Sequence, residues 1–214
     1  MAAHAYSEIR GIVFDLDGTL YVCDRFAAEI HDAAAAYVAR VRQISQAEAE
    51  LLMTATRKRL LAEKGTAQTL SVVCSELGGN VRELHDFFIQ KLLPEQYLVR
   101  DERVVGLLER LAKHFSLYIY TNNNRTLATR IISHLGFGQS VRRTFTIDDE
   151  WLAKPDEVMV NRVLQEIGLT SPEALFVGDR YDVDLRVPEQ CGCPVYLSQT
   201  LEQLLRLDEL LTAT

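Results

Sequence analysis

Short β-rich apolar runs alternate with amphipathic helical stretches at both ends of the chain, whereas the middle carries helical spacing alone. The runs are Ile9 to Phe14, Leu117 to Tyr120, a weaker Thr144 to Ile147, Ala174 to Val177 and Val195 to Leu197. Among them, apolar positions recur every three or four residues over Glu102 to His114, Thr126 to Leu135, Asp156 to Ile167 and Leu201 to Leu211. Gly136 and Gly168 stop two of these helices and Pro155 opens one, the usual punctuation of helix ends. Strands alternating with helices predict βαβ units, and hence an α/β fold with a doubly wound, mainly parallel sheet.

Residues 23–99 contain no convincing strand. Helical spacing is found over Ile30 to Val41, Ala47 to Leu61, Thr69 to Leu77 and Val81 to Leu92, with breaks at Gly65, Gly78-Gly79 and Pro94. The expected division is therefore an α/β core of residues 1–22 and 100–214, with a helical bundle of residues 23–99 inserted after the first strand. An insertion leaving the sheet at its carboxyl edge would sit as a lid over whatever the first strand delivers there.

Composition narrows the classes. The chain has 214 residues, 48% hydrophobic and 25% charged, which suits a globular protein with a real core. A net charge of −7 with no Lys/Arg stripe argues against a nucleic-acid partner. No apolar run approaches membrane-spanning length and Met1 to Arg10 carries no apolar signal core, so no membrane partner and a cytoplasmic location are expected. The four cysteines do not read as a disulfide framework, and Cys191-Gly192-Cys193 lacks the His or second Cys pair of a metal site. Cys191 and Cys193 are expected to be small buried thiols flanking a turn. Cys23 lies close to an acid pair without a partner base. The histidines at 4, 31, 85, 114 and 134 are scattered singly, and each is expected at the surface or a helix end rather than as a ligand.

The chemistry gathers at predicted strand ends. Asp15-Leu16-Asp17-Gly18-Thr19-Leu20 follows the apolar Ile12-Val13-Phe14, placing two carboxylates where a buried strand stops and ligands bind in open α/β sheets. If the chain turns at Gly18, the Asp15 side chain and the Asp17 carbonyl can face one cation while the Asp17 carboxylate swings aside. One acid can then attack while the other handles protons. A solvated acidic turn fits the same residues. Thr121-Asn122-Asn123-Asn124 offers a hydroxyl and turn amides after the second run, and Lys154 offers a cation before a helix start, or simply a surface lysine. Phe176-Val177-Gly178-Asp179 repeats the strand, Gly, Asp pattern, followed by Asp182 and Asp184. Carboxylates converging there would repel one another unless a hard cation such as Mg²⁺ sat among them.

These motifs, in this order and spacing, resemble the haloacid dehalogenase superfamily over about two thirds of the chain, its α/β part. The resemblance implies a Rossmann-like core with a small helical cap, like phosphatases of the pyrimidine nucleotidase and phosphoglycolate phosphatase type. It implies Asp15 as nucleophile forming an aspartyl-phosphate, and Asp17 as the acid that protonates the leaving group and then activates water. Thr121, Asn122 and Lys154 are implied as phosphate ligands, with Lys154 also countering charge in the reaction. Asp15, Asp17, Asp179 and Asp184 are implied as the Mg²⁺ site, Asp184 being preferred to Asp182. Acids at both 15 and 17 fit a phosphatase or phosphomutase; the dehalogenases of the superfamily lack the second acid and transport ATPases carry Thr there. The expected activity is hydrolysis of a small phosphorylated metabolite, with a nucleoside monophosphate favoured from Ile30-His31-Asp32 and Gly65-Thr66. The alternatives are a phosphomutase and a non-catalytic phosphometabolite-binding protein. Arg180 is expected either to partner Asp182 or to lie at the surface.

Overall fold

A computed structural model describes residues 7–212; His4 and the stretch before Ser7 lie outside them. In chain order the elements are β1 (Gly11–Phe14), α1 (Asp24–Arg42), α2 (Gln46–Lys64), α3 (Leu70–Glu76), α4 (Val81–Lys91), α5 (Glu102–Leu111), β2 (Ser116–Tyr120), α6 (Arg125–Leu135), β3 (Val141–Phe145), α7 (Glu157–Ile167), β4 (Ala174–Gly178), α8 (Arg186–Gln190), β5 (Val195–Leu197), α9 (Leu201–Leu205) and α10 (Leu207–Thr212). The sheet is parallel throughout, in the order β3-β2-β1-β4-β5. The chain winds outward from β1 to β3, then crosses to β4 and β5 on the other side. That reversal opens a crevice beyond the carboxyl ends of β1 and β4.

Both faces of the sheet are covered, as parallel sheets require. Successive side chains alternate between faces. Ile12, Phe14, Leu117 and Ile119 thus join one buried layer with Leu108 of α5, Leu127 and Ile131 of α6, and Leu207 of α10. Val13, Tyr118 and Phe176 enter a second layer with Met159 and Val163 of α7. The inserted helices α1 to α4 share the first layer, which also contains Phe26, Tyr37, Leu84 and Leu92. A Ser45/Glu48 capping box starts α2, and Asn80 accepts from the Arg82 and Glu83 amides at the start of α4.

Several boundaries differ from the sequence expectation. The weak run at 144–147 is displaced, because β3 is an edge strand carrying exposed Arg142 and Arg143, which hide its pattern. Thr146 instead caps a 3₁₀ turn over Ile147–Asp149. The last helix breaks at Arg206 into α9 and α10. Pro155 precedes the N-cap of α7 rather than opening that helix, and the cap is Asp156, which accepts from the Met159 amide. A π-helical turn at Tyr181–Leu185 and α8 were not expected. No helix among the described residues is long and apolar enough to cross a membrane.

Candidate active site

The site starts where β1 ends. The Asp15 amide donates to the Val177 carbonyl at 2.8 Å, continuing the ladder one residue past the strand and fixing Asp15 at the sheet edge. Gly18 then turns with φ +89°, a conformation in which a side chain is strained. A Cβ there would lie 2.6 Å from Asp179 Oδ2, so the missing side chain lets the loop after β1 close on the loop after β4. Gly178 does the same for Asp184, whose Cβ would lie 2.4 Å from an added Cβ. The π turn folds Asp184 back so that its Oδ2 accepts from the Arg180 amide at 3.1 Å.

Lys154 binds this cluster together. Its Nζ donates to Asp15 Oδ1 at 2.5 Å, Asp184 Oδ1 at 2.7 Å and the Tyr120 carbonyl at 3.0 Å. With 2% exposure it is not a surface lysine. Its backbone amide donates to Asn122 Oδ1 at 2.7 Å, so Asn122 holds the lysine loop against the end of β2. Oxygens of Asp15, Asp179 and Asp184 all lie within 4.8 Å of one another. One ammonium among three carboxylates leaves an excess of negative charge. Burial, reinforced by Asp184 and Asp17 against the opposing Lys154, pushes the Asp15 carboxyl up to about 7. Burial alone would pull Lys154 down, but Asp15 and Asp184 outweigh it and hold the ammonium above its ordinary range. Asp179 is raised by burial and by Asp184, and its Oδ1 is buried without a hydrogen-bond partner. Three oxygen donors, one of them orphaned, fit a hard divalent cation.

Lys154→Ala tests this charge balance. Removing one partner of a buried ion pair costs about 3–5 kcal/mol, since the other charges stay buried. The denaturant midpoint measured in EDTA should fall accordingly.

Asp17 is differently placed. Its carboxylate accepts from the Tyr21 hydroxyl, from Asn123 Nδ2 at 2.6 Å and from the Thr121 hydroxyl at 3.4 Å, and stands apart from the trio of acids. Burial raises its pKa, although these donors favour the charged form. Thr121 is fully buried, and its hydroxyl also accepts from the Asn123 amide at 3.1 Å. Sequence reasoning missed Tyr21 and Asn123. The first follows Asp17 by four residues, but nothing distinguished the second within a run of three asparagines.

Of the two positions expected for Arg180, the surface one holds: the side chain is exposed and does not partner Asp182, its Nε lying 3.8 Å from Asp179 Oδ1 and from Asp184 Oδ2, while Asp182 faces Arg186 at 3.9 Å. His85 is buried rather than superficial, 3% exposed at the seam between α4 and α6. Its ring nitrogens lie 3.4 Å from Ser71 Oγ and 3.5 Å from Asn124 Nδ2, and burial pulls its pKa down to about 4. Cys74 and Cys193 are buried thiols, Cys191 is partly exposed, and Cys23 points toward the Tyr97 carbonyl.

A cavity of about 400 Å³ lies between the inserted helices and the sheet edge. Asp17, Asn122, Asn123 and Arg180 line it from the sheet side; His31, Arg57, Ser71 and His85 line it from the insert.

Comparison with known proteins fits this geometry. A phosphoglycolate phosphatase of Photorhabdus laumondii is 27% identical over 195 residues, 91% of this chain and 82% of that protein. The 2-haloacid dehalogenase structure from Pseudomonas syringae superposes with a TM-score of 0.61 at 20% identity, covering 96% of this chain and 99% of that one. A hydrolase of Bacillus subtilis bound to magnesium superposes with a TM-score of 0.58 at 18% identity, covering 96% and 100%. The family model for haloacid dehalogenase-like hydrolases matches residues 9–192, and with that match the chain belongs to the haloacid dehalogenase-like hydrolase family.

Proposed function

We propose that this hydrolase is a Mg²⁺-dependent phosphomonoesterase that acts on a small phosphorylated metabolite through a phosphorylated Asp15. The observation that carries the reading is the separation of the two acids after β1: Asp15 sits among carboxylates and Lys154, and Asp17 among neutral donors at the cavity wall. Asp15, Asp179 and Asp184, with the Asp17 carbonyl, would hold Mg²⁺. Bound there, the ion would neutralise charge on the phosphoryl oxygens.

An Asp15 oxygen attacks phosphorus as the bond to the leaving oxygen breaks, and protonated Asp17 delivers its proton to that oxygen. Asp17 then takes a proton from water as the water attacks phosphorus; the Asp15–phosphorus bond breaks and inorganic phosphate forms. Lys154 steadies Asp15 and counters phosphoryl charge, and Thr121 and Asn122 lie beside the phosphoryl group. Phosphoryl transfer consists largely of such positioning and electrostatics. Residues 23–99 act as the cap over the cavity, on a core of residues 1–22 and 100–214.

Relatives that are phosphoglycolate phosphatases make phosphoglycolate the first substrate to try, ahead of the nucleoside monophosphate expected from the sequence. Inorganic phosphate release from a panel of both kinds of ester tests the reading. Conversion of a sugar phosphate without phosphate release would make the protein a mutase, and binding without turnover would make it a binding protein. EDTA should abolish release and Mg²⁺ restore it, while Ca²⁺, which takes more ligands at longer distances, should not. Full turnover in metal-free buffer would contradict the cation's role.

A further inference from the structure

The cavity has two unlike walls. From the sheet side come Asp17, Asn122 and Asn123. From the insert, His31, Arg57, Gln68, Thr69 and Ser71 bring no carboxylate, and Arg57 is the one full cation among them. Its guanidinium is half-buried and pairs with no carboxylate of the described residues. Instead Nη2 lies 3.2 and 3.1 Å from the two ring nitrogens of His31. Burial and Arg57 lower the pKa of His31, against the opposing Asp32. Arg59, on the same helix, shows the contrast, since Glu63 and Glu76 both pair with it. Arg180, the cavity's other arginine, already faces Asp179 and Asp184.

A partly desolvated cation without a counter-charge is costly, and an anion brought by a ligand offsets that cost. We infer that Arg57, steadied by His31, is a second anion subsite that binds a carboxylate at the end of the substrate remote from the transferring phosphoryl group. The preferred substrates are then phosphorylated hydroxy acids. A carboxylate fits better than a second phosphate because one guanidinium balances one negative charge. The cavity, about 400 Å³, holds both anions of one small ligand. This inference rests on the phosphomonoesterase reading and adds what the insert selects.

The test compares phosphoglycolate with 2-hydroxyethyl phosphate, which ends in an alcohol where the first ends in a carboxylate. In the parent protein, kcat/KM should favour the acid by about tenfold or more, the scale of one charged hydrogen-bonded contact. Arg57→Ala should bring the ratio close to one, and Arg59→Ala should preserve it. Should the alanine variant lose both activities, Arg57→Gln, which keeps the side-chain stem, repeats the measurement. A ratio unchanged on replacing Arg57, or lost equally on replacing Arg59, overturns the subsite. Phosphate release from neither ester by the parent protein overturns the phosphatase reading itself, a different result from release that is indifferent to Arg57.

Discussion

Asp15→Asn should abolish phosphate release, with kcat/KM falling by a factor on the order of 10⁴ or more, as when the nucleophile of another covalent hydrolase is removed. The amide has almost the size of the carboxylate but neither its charge nor its nucleophilic oxygen. The fold should survive. Burial already disfavours the Asp15 charge, and a neutral amide relieves one of three crowded acids while Lys154 keeps its bond to Asp184. The melting temperature in EDTA should therefore hold or rise. Unchanged turnover would move the nucleophile elsewhere, and a collapse of stability would contradict the crowding of the three acids.

Asp17→Asn should also be severe, at roughly 10²–10⁴-fold for an alkyl phosphate, because the same proton carrier serves both halves of the reaction. The Tyr21 and Asn123 contacts hold this side chain in place, so the variant loses proton transfer rather than position. An aryl phosphate separates the halves. A nitrophenolate leaving group needs no proton, so the first step should proceed while water attack stays slow. Stopped-flow absorbance should then show a burst of nitrophenolate close to one per protein molecule. Equal loss on alkyl and aryl esters, without a burst, would deny Asp17 its role as acid and base.

Much of this site is legible in the sequence because the first motif joins two local signals, an apolar strand and an acid-glycine turn. Asp15, Gly18 and Asp179 follow from where β1 and β4 stop. β5 is readable to the residue, since Val195–Leu197 is a short β-rich run between turn residues. β3 is not, because an edge strand with two outward arginines has no apolar alternation to detect. The burial of Lys154 is equally hidden. Its partners Asp15 and Asp184 lie 139 and 30 residues away in sequence, and only the crossovers of the sheet bring them together. The resemblance favours Asp184 over Asp182, but the π turn that carries Asp184 inward has a wider spacing that no helical pattern predicts. Arg57 looks like one more polar position on an exposed helix. Its unpaired state appears only when the insert is folded against the sheet edge.

Passage of the phosphoryl group through Asp15 is tested most directly by acid-quenching the Asp17→Asn variant during turnover of nitrophenyl phosphate, then mapping the phosphoryl group by peptide mass spectrometry. A single acid-stable, base-labile phosphoryl group should be found on Asp15, and none when Asp15→Asn is added. Continued nitrophenolate release with no phosphorylated peptide, or with the phosphoryl group on another residue, would contradict it.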